Sequence, residues 1–243
     1  MEEFFTHLLE RLGQMPAQPP TVLQLVIVAA LVTLLVLPRS LWRVTGMYCT
    51  LIHELGHVIF ALFTGRFVTS LQLGWDHSGQ VVSRGRRGWS SAISGVAGYP
   101  APLWCAAGLL AAAAAGYSGW ALLAFALLFC GALIFVRNLP AVLVCGSSAG
   151  AALAILLFAP IPYFTFAVLF TGGFLLLAGL RDMLKLLSVH LWRRHHREQS
   201  DAVLIARSTG GYAWIWLWLI MILCACGAWG AVLGVLHLVT LAG

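Results

Sequence analysis

Charged residues are scarce in this chain. Only 9% of its 243 residues are charged, whereas 61% are hydrophobic. Soluble globular domains carry about 25% charged residues, so the composition excludes an ordinary soluble protein. Several apolar runs of about 18 residues or more follow one another, and each can cross a bilayer as a helix. The sequence therefore predicts an all-α polytopic membrane protein, with one integral-membrane domain over residues 1–243.

Two further absences narrow the function. The first 20 residues lack a basic segment before an apolar run, so no secretory signal peptide is predicted. The six cysteines lie inside apolar runs without paired extracellular spacing, which indicates small core residues rather than disulfides. The net charge of +6 is concentrated in loops, where it indicates membrane orientation. We therefore expect a lipid bilayer and no nucleic acid as a partner.

The apolar runs predict six to seven transmembrane helices. The segments are 22–37, 46–64, 91–115, 119–136, 140–158, 163–192 and 211–241. Between the second and third segments, two β-rich runs flank the turn-rich "GWDHSG", which predicts a membrane-surface β-hairpin in the loop 66–90. An N-terminal segment, 1–21, precedes the helices, and a basic loop, 193–210, precedes the last one.

The basic residues predict the orientation. With seven spans and a cytoplasmic N-terminus, twelve of the fourteen lysines and arginines lie inside, and only Arg39 and Arg43 lie outside. Cytoplasmic loops carry the excess of these residues in membrane proteins. We therefore predict a cytoplasmic N-terminus, and we expect the basic loop to contact anionic lipid.

The run "LIHELGHVIF", residues 51–60, places three ionisable residues in an apolar helix. Such residues are costly in a membrane and indicate a functional site. His53 and His57 are four residues apart and share one helix face, so they can bind one zinc ion. Glu54 lies beside them and can act as the general base on water at the metal. The alternative is a pair of core histidines with Glu54 as their partner.

A catalytic zinc ion usually has three protein ligands and one open position. Asp182 is the best candidate for the third ligand, because it lies about ten residues inside an apolar segment and at a depth similar to that of His57. An ion pair with a neighbouring basic residue is the alternative for Asp182. Asp201 and Cys145 remain open as other sources of the third ligand.

The motifs resemble those of a known family. A membrane-embedded "HELGH", then "TGRF" with a predicted hairpin, and "AGYPAP" at 97–102 are similar to motifs of the site-2 protease family of intramembrane zinc metalloproteases. The likeness is closest to its compact bacterial branch. The resemblance implies that His53 and His57 bind zinc and that Glu54 is the catalytic base. It also implies cleavage of a transmembrane protein near the cytoplasmic face, as in regulated intramembrane proteolysis, and a bacterial-type inner membrane.

The chain also departs from the family pattern. Many members take the third ligand from an Asn-x-x-Pro…Asp-Gly segment, but here "RNLPAVLVCG" has Cys145–Gly146 at that place. Asn138 in this segment is predicted to help hold the substrate, with a helix cap as the alternative. The departure leaves a catalytically inactive subunit, which acts in binding or assembly, as the competing interpretation. The small residues Gly230 and Gly234 are spaced for close helix packing, within the chain or in a homodimer or membrane complex.

Overall fold

The structure is a computed structural model that describes residues 6, 8–9, 11–12, 19–85, 88–192 and 200–242. Most of these residues are helical, and two strands form a small sheet. In chain order the elements are α1 (Val22–Val36), α2 (Arg39–Phe63), β1 (Phe67–Leu73), β2 (Gly79–Arg84), α3 (Trp89–Val96), α4 (Pro100–Ala114), α5 (Ser118–Ala132), α6 (Leu139–Phe158), α7 (Pro162–Leu191), α8 (Asp201–Thr209) and α9 (Ala213–Ala242).

The number of membrane spans differs from the expected six to seven. Within the described residues, four helices, α2, α6, α7 and α9, are long and apolar enough to cross a membrane. A fifth span results if α3 and α4, which are bent by 57° at a short break, are counted together. Helices α1 and α5 have 15 residues each, so each is about 22 Å long and shorter than the hydrocarbon core. The helical multi-pass architecture is confirmed, but the higher span count is not.

Several basic residues also lie elsewhere than the predicted topology places them. Arg39 and Arg43 are part of α2 rather than of a connection before it. The side chain of Arg11 donates to carbonyls at the end of α6, and that of Arg181 donates to carbonyls at the end of α1. The seven-span topology places these helix ends outside and both arginines inside. The orientation of the N-terminus therefore stays a prediction.

A tight turn after α2 folds the predicted hairpin back along that helix. The amide of Gly65 donates to Leu62, and that of Arg66 donates to Ala61. Gly65 has φ 71°. These two hydrogen bonds, together with a glycine in the left-handed conformation, form a motif that ends many helices and reverses the chain direction. At the far tip of the hairpin, the ring of His77 packs against Gly46 of α2. A Cβ at position 46 would collide with this ring.

The hairpin is confirmed, and a third segment extends its sheet. Strands β1 and β2 pair antiparallel, with Leu73 opposite Gly79. On the other edge of β1, the amide of Leu71 donates to Phe135 at 2.8 Å and its carbonyl accepts from Arg137 at 3.1 Å. The segment before α6 therefore runs parallel to β1 and makes it central. Among the described residues, no strand pairs with the outer edge of β2.

Glycine allows α9 to pack closely on α4. A Cβ at Gly234 would lie 2.9 Å from the Cβ of Leu110, and a Cβ at Gly227 would lie 3.1 Å from the backbone of Leu103. Gly230 faces the same helix. The small-residue spacing near the C-terminus therefore serves a contact within the chain. This contact supports α4 directly behind the break at residues 97–99, which borders the candidate site.

Candidate metal centre

Helix α2 presents the two histidines of the motif side by side. His53 and His57 follow each other after one helical turn, and their Nε2 atoms lie 3.1 Å apart. Nδ1 of His57 is 2.7 Å from the carbonyl oxygen of Ser94. A carbonyl only accepts hydrogen bonds, so Nδ1 of His57 carries the proton and donates. Its Nε2 therefore has a free lone pair that faces His53, as a metal ligand requires.

The third group is Asp201, the first residue of α8. Its Oδ2 lies 3.4 Å from Nε2 of His53 and 3.5 Å from Nε2 of His57. These distances are long for hydrogen bonds, and Oδ2 is buried without a hydrogen-bond partner. Helix α8 is not one of the candidate spans. Burial acts to raise the pKa of the Asp201 carboxyl, but when the two histidines are protonated their charges outweigh burial and hold that pKa well below its usual range. With neutral histidines, a bound cation would supply the positive charge instead.

The three atoms fit a metal ion. Two imidazole nitrogens and one carboxylate oxygen are typical ligands of catalytic zinc. In a tetrahedral zinc site, neighbouring ligand atoms lie about 3.3 Å apart, given bonds of about 2.0–2.1 Å. The observed separations of 3.1, 3.4 and 3.5 Å are close to this value. A buried carboxylate oxygen without a donor is a further sign that a cation belongs between the three groups.

The non-helical segment between α3 and α4, residues 97–99, lies directly over the histidines. A Cβ at Gly98 would lie 2.5 Å from Nε2 of His57 and 2.6 Å from Nε2 of His53. The ring of Tyr99 packs edge-on against His53, with centroids 4.6 Å apart. Helix α2 approaches this break closely at Gly56, where a Cβ would lie 2.6 Å from a main-chain oxygen. Glycine at 98 therefore keeps free the space in front of both ligand nitrogens.

Glu54 borders a cavity beside the three ligand groups. The residue is only 5% exposed, and a Cβ at Gly79 of β2 would collide with its carboxylate. The cavity has a volume of about 360 Å³ and lies between β2, α3 and α8. Its polar lining includes Glu54, His57, Asp201, Arg66, Ser91 and Ser208. Water can therefore contact both the carboxylate of Glu54 and the ligand groups.

Asp182 takes a different place from the one predicted. Its Oδ2 accepts from Sγ of Cys49 at 3.4 Å, one helical turn before His53. Asp182 is absent from the group of three ligand atoms that lie within 4.8 Å of one another, which Asp201 completes. Cys145 is buried and donates to a carbonyl of α5 at 3.1 Å. The structure thus brings Asp201 to the histidines and leaves the other two candidates apart.

Asn138 serves the sheet. Its Nδ2 donates to the carbonyl of Leu73 at 2.7 Å, and its Oδ1 accepts from the amide of Leu73 at 3.2 Å. The side chain thus continues the pairing between β1 and the segment before α6. It does not line the cavity beside Glu54. Asn138 therefore supports the hairpin from behind, and its contact with a substrate stays a prediction.

A protein-family comparison agrees with the geometry. The model of the family described as Peptidase M50B-like matches residues 26–232. The chain belongs to this family. The match confirms the resemblance to the site-2 protease family, whose M50 relatives are zinc metallopeptidases. The protein is thus a multi-pass membrane protein of a metalloprotease family. No similar curated protein and no similar solved structure was found.

The position of Gly98 predicts how metal binding can be blocked. Replacing Gly98 by alanine puts a methyl group within about 2.6 Å of both ligand nitrogens, so we expect a large loss of bound zinc. Metal per purified chain, measured by mass spectrometry, tests this. The control is Gly108→Ala in α4, where a Cβ meets nothing within 4 Å. Equal zinc in both variants would contradict a metal between the two histidines.

Proposed function

We propose that the protein is an intramembrane zinc metalloendopeptidase that cleaves a transmembrane protein. The observation that carries this proposal is the convergence of His53, His57 and Asp201 on one point, with Glu54 beside it, in a membrane protein of a metalloprotease family. The three ligand groups use one face of α2 and the start of α8. They leave the side toward the cavity open, as a catalytic metal requires.

The roles follow from the positions of the groups. His53, His57 and Asp201 would hold a zinc ion, which would supply polarisation of the scissile carbonyl and a more nucleophilic water. The carboxylate of Glu54 accepts a proton from the attacking water, and the water oxygen bonds to the carbonyl carbon. Glu54 then donates this proton to the amide nitrogen as the C–N bond breaks. His57 keeps its orientation through its bond to the carbonyl of Ser94.

The substrate is proposed to bind as an extended strand. A transmembrane helix hides its peptide bonds, so the segment to be cut must unwind. The outer edge of β2 offers main-chain groups to such a segment, and β2 begins at Gly79, in contact with Glu54. The cavity lies between this edge and α8. A strand paired with β2 therefore passes the catalytic carboxylate.

The membrane face of cleavage is proposed from the charges around the cavity. Arg66 lines the cavity. Arg84 lies at the end of β2, opposite Phe67 at the start of β1. Arg207 lies on α8, which forms the opposite wall. An excess of basic residues is typical of the cytoplasmic side. On this ground we propose cleavage near the cytoplasmic face. The resemblance of the motifs to the compact bacterial branch of the family is the basis for proposing a bacterial-type inner membrane.

The rival interpretation was an inactive relative, because the chain lacks the Asp-Gly segment that many members use. Asp201 offers a carboxylate from another part of the chain, and its Oδ2 lies within 3.5 Å of both histidines. The missing segment is therefore no reason to expect a missing ligand. The arrangement favours an active enzyme over a binding subunit.

Glu54→Gln tests the catalytic base. The variant keeps the shape of the side chain but cannot accept the proton, so we expect zinc content to stay unchanged and cleavage to fall by about 10²–10⁴-fold. β-Casein, added to the detergent-solubilised enzyme, is a suitable probe, because it is unstructured and needs no unwinding. The matched control is Asp76→Asn on the hairpin tip. Undiminished casein cleavage by Glu54→Gln would reject the assignment.

A pair of variants identifies the third ligand. Loss of a residue that only hydrogen-bonds to a metal ligand typically weakens metal binding roughly 10–100-fold. We expect Asp201→Ala to weaken zinc binding by more than this. We expect Asp182→Ala to leave zinc affinity unchanged, because its carboxylate contacts Cys49. Titration with a competing chelator measures both affinities. The reverse order of the two variants would make Asp182 the ligand.

Crosslinking tests the substrate strand. A photoreactive residue at Gln80, which is exposed on β2, should crosslink to casein in a Glu54→Gln background that preserves the bound chain. The same residue at Thr69, exposed on the central strand β1, should crosslink much less. Crosslinking that is equal at both positions would argue against binding along β2.

A further inference from the structure

His190 is a buried histidine outside the metal centre. It lies in the last turn of α7 and is 2% exposed. Its Nδ1 is 3.1 Å from the carbonyl oxygen of Leu186, and its Nε2 is 3.2 Å from Oγ of Ser200. Because a carbonyl only accepts, Nδ1 carries the proton. Nε2 then accepts the hydroxyl hydrogen of Ser200.

Because of this contact, the hydroxyl of Ser200 does not cap the helix that it precedes. Ser200 is the N-cap residue of α8, with extended backbone angles, yet its side chain makes no capping bond to that helix. Serine at this position normally accepts from a free amide of the first turn and thereby stabilises the helix. Here the hydroxyl is buried and links α8 to α7 instead. The start of α8 is therefore held by another helix.

The residue after Ser200 is Asp201, whose carboxylate faces the two histidines. Helix α8 has only nine residues, and a helix of this length is not stable by itself in water. Its middle is held by Ile205, which packs where Gly95 of α3 leaves room. Its first turn, which carries the ligand, is held from α7 by His190. The ring of Trp214 packs beside His190, with centroids 6.1 Å apart.

We propose that His190 is a positioning residue for the third metal ligand. By accepting the hydroxyl of Ser200, it fixes the backbone at the start of α8 and thereby sets the carboxylate of Asp201 against His53 and His57. The inference rests on the metal site of the proposed function. It adds a residue that touches neither metal nor substrate and acts through Ser200.

Cobalt binding tests this role, because the visible absorption of Co²⁺ reports ligand number and geometry. We expect His190→Ala and Ser200→Ala each to weaken Co²⁺ binding by about tenfold, as for loss of an outer partner, and to alter the visible spectrum. His190→Gln should recover most of the affinity, since its amide oxygen can accept from Ser200. The double variant should be no weaker than His190→Ala, because both changes remove one interaction. His237→Ala on α9, an exposed histidine, is the matched control.

Ser200→Ala keeps the packing around His190, so its result does not depend on how well His190→Ala folds. Wild-type affinity and spectrum in Ser200→Ala would overturn the proposal, as would a double variant much weaker than either single one. Failure of the underlying metal site has a separate signature. In that case His53→Ala would bind Co²⁺ as the wild type does, whatever the His190 variants show.

Discussion

A buried carboxylate oxygen that faces two imidazole nitrogens, without a hydrogen-bond donor, is the constraint around which this fold is arranged. An unpaired charge away from water is costly, and a cation is the partner that satisfies all three groups at once. The neighbouring backbone leaves room for such a cation at Gly98 and for the carboxylate of Glu54 at Gly79. These glycines connect the packing of the helices with the chemistry of the site.

The site is assembled where regular structure stops. The turn after Phe63 returns the chain along α2 as a hairpin, and the break at residues 97–99 passes over the histidines. Non-helical backbone leaves polar groups that need protein partners or water. Here both are present, because Leu73 is paired with Asn138 and Gly79 borders the cavity. The irregular segments are thus the ones that contact the reacting groups.

The local parts of the site were predictable, and the distant part was not. The spacing of His53 and His57 places both on one helix face, and the turn-rich "GWDHSG" between two β-rich runs predicts the hairpin. The third ligand depends on how helices far apart in sequence pack. Depth along a helix gives no information on the direction of a side chain, so Asp182 matched in depth but contacts Cys49. Asp201 stands at the start of a helix, where aspartate is common for local reasons, so the sequence alone does not single it out as the ligand.

The origin of the third group has a mechanical consequence. The two histidines belong to a helix of 25 residues, whereas Asp201 belongs to a helix of nine. Helix α8 is also the wall of the cavity opposite β2, where we propose that the substrate strand binds. Any movement of α8 that widens this cleft therefore also moves the carboxylate away from the histidines. Contacts that hold the start of α8 keep the ligand set complete while the other wall receives the substrate.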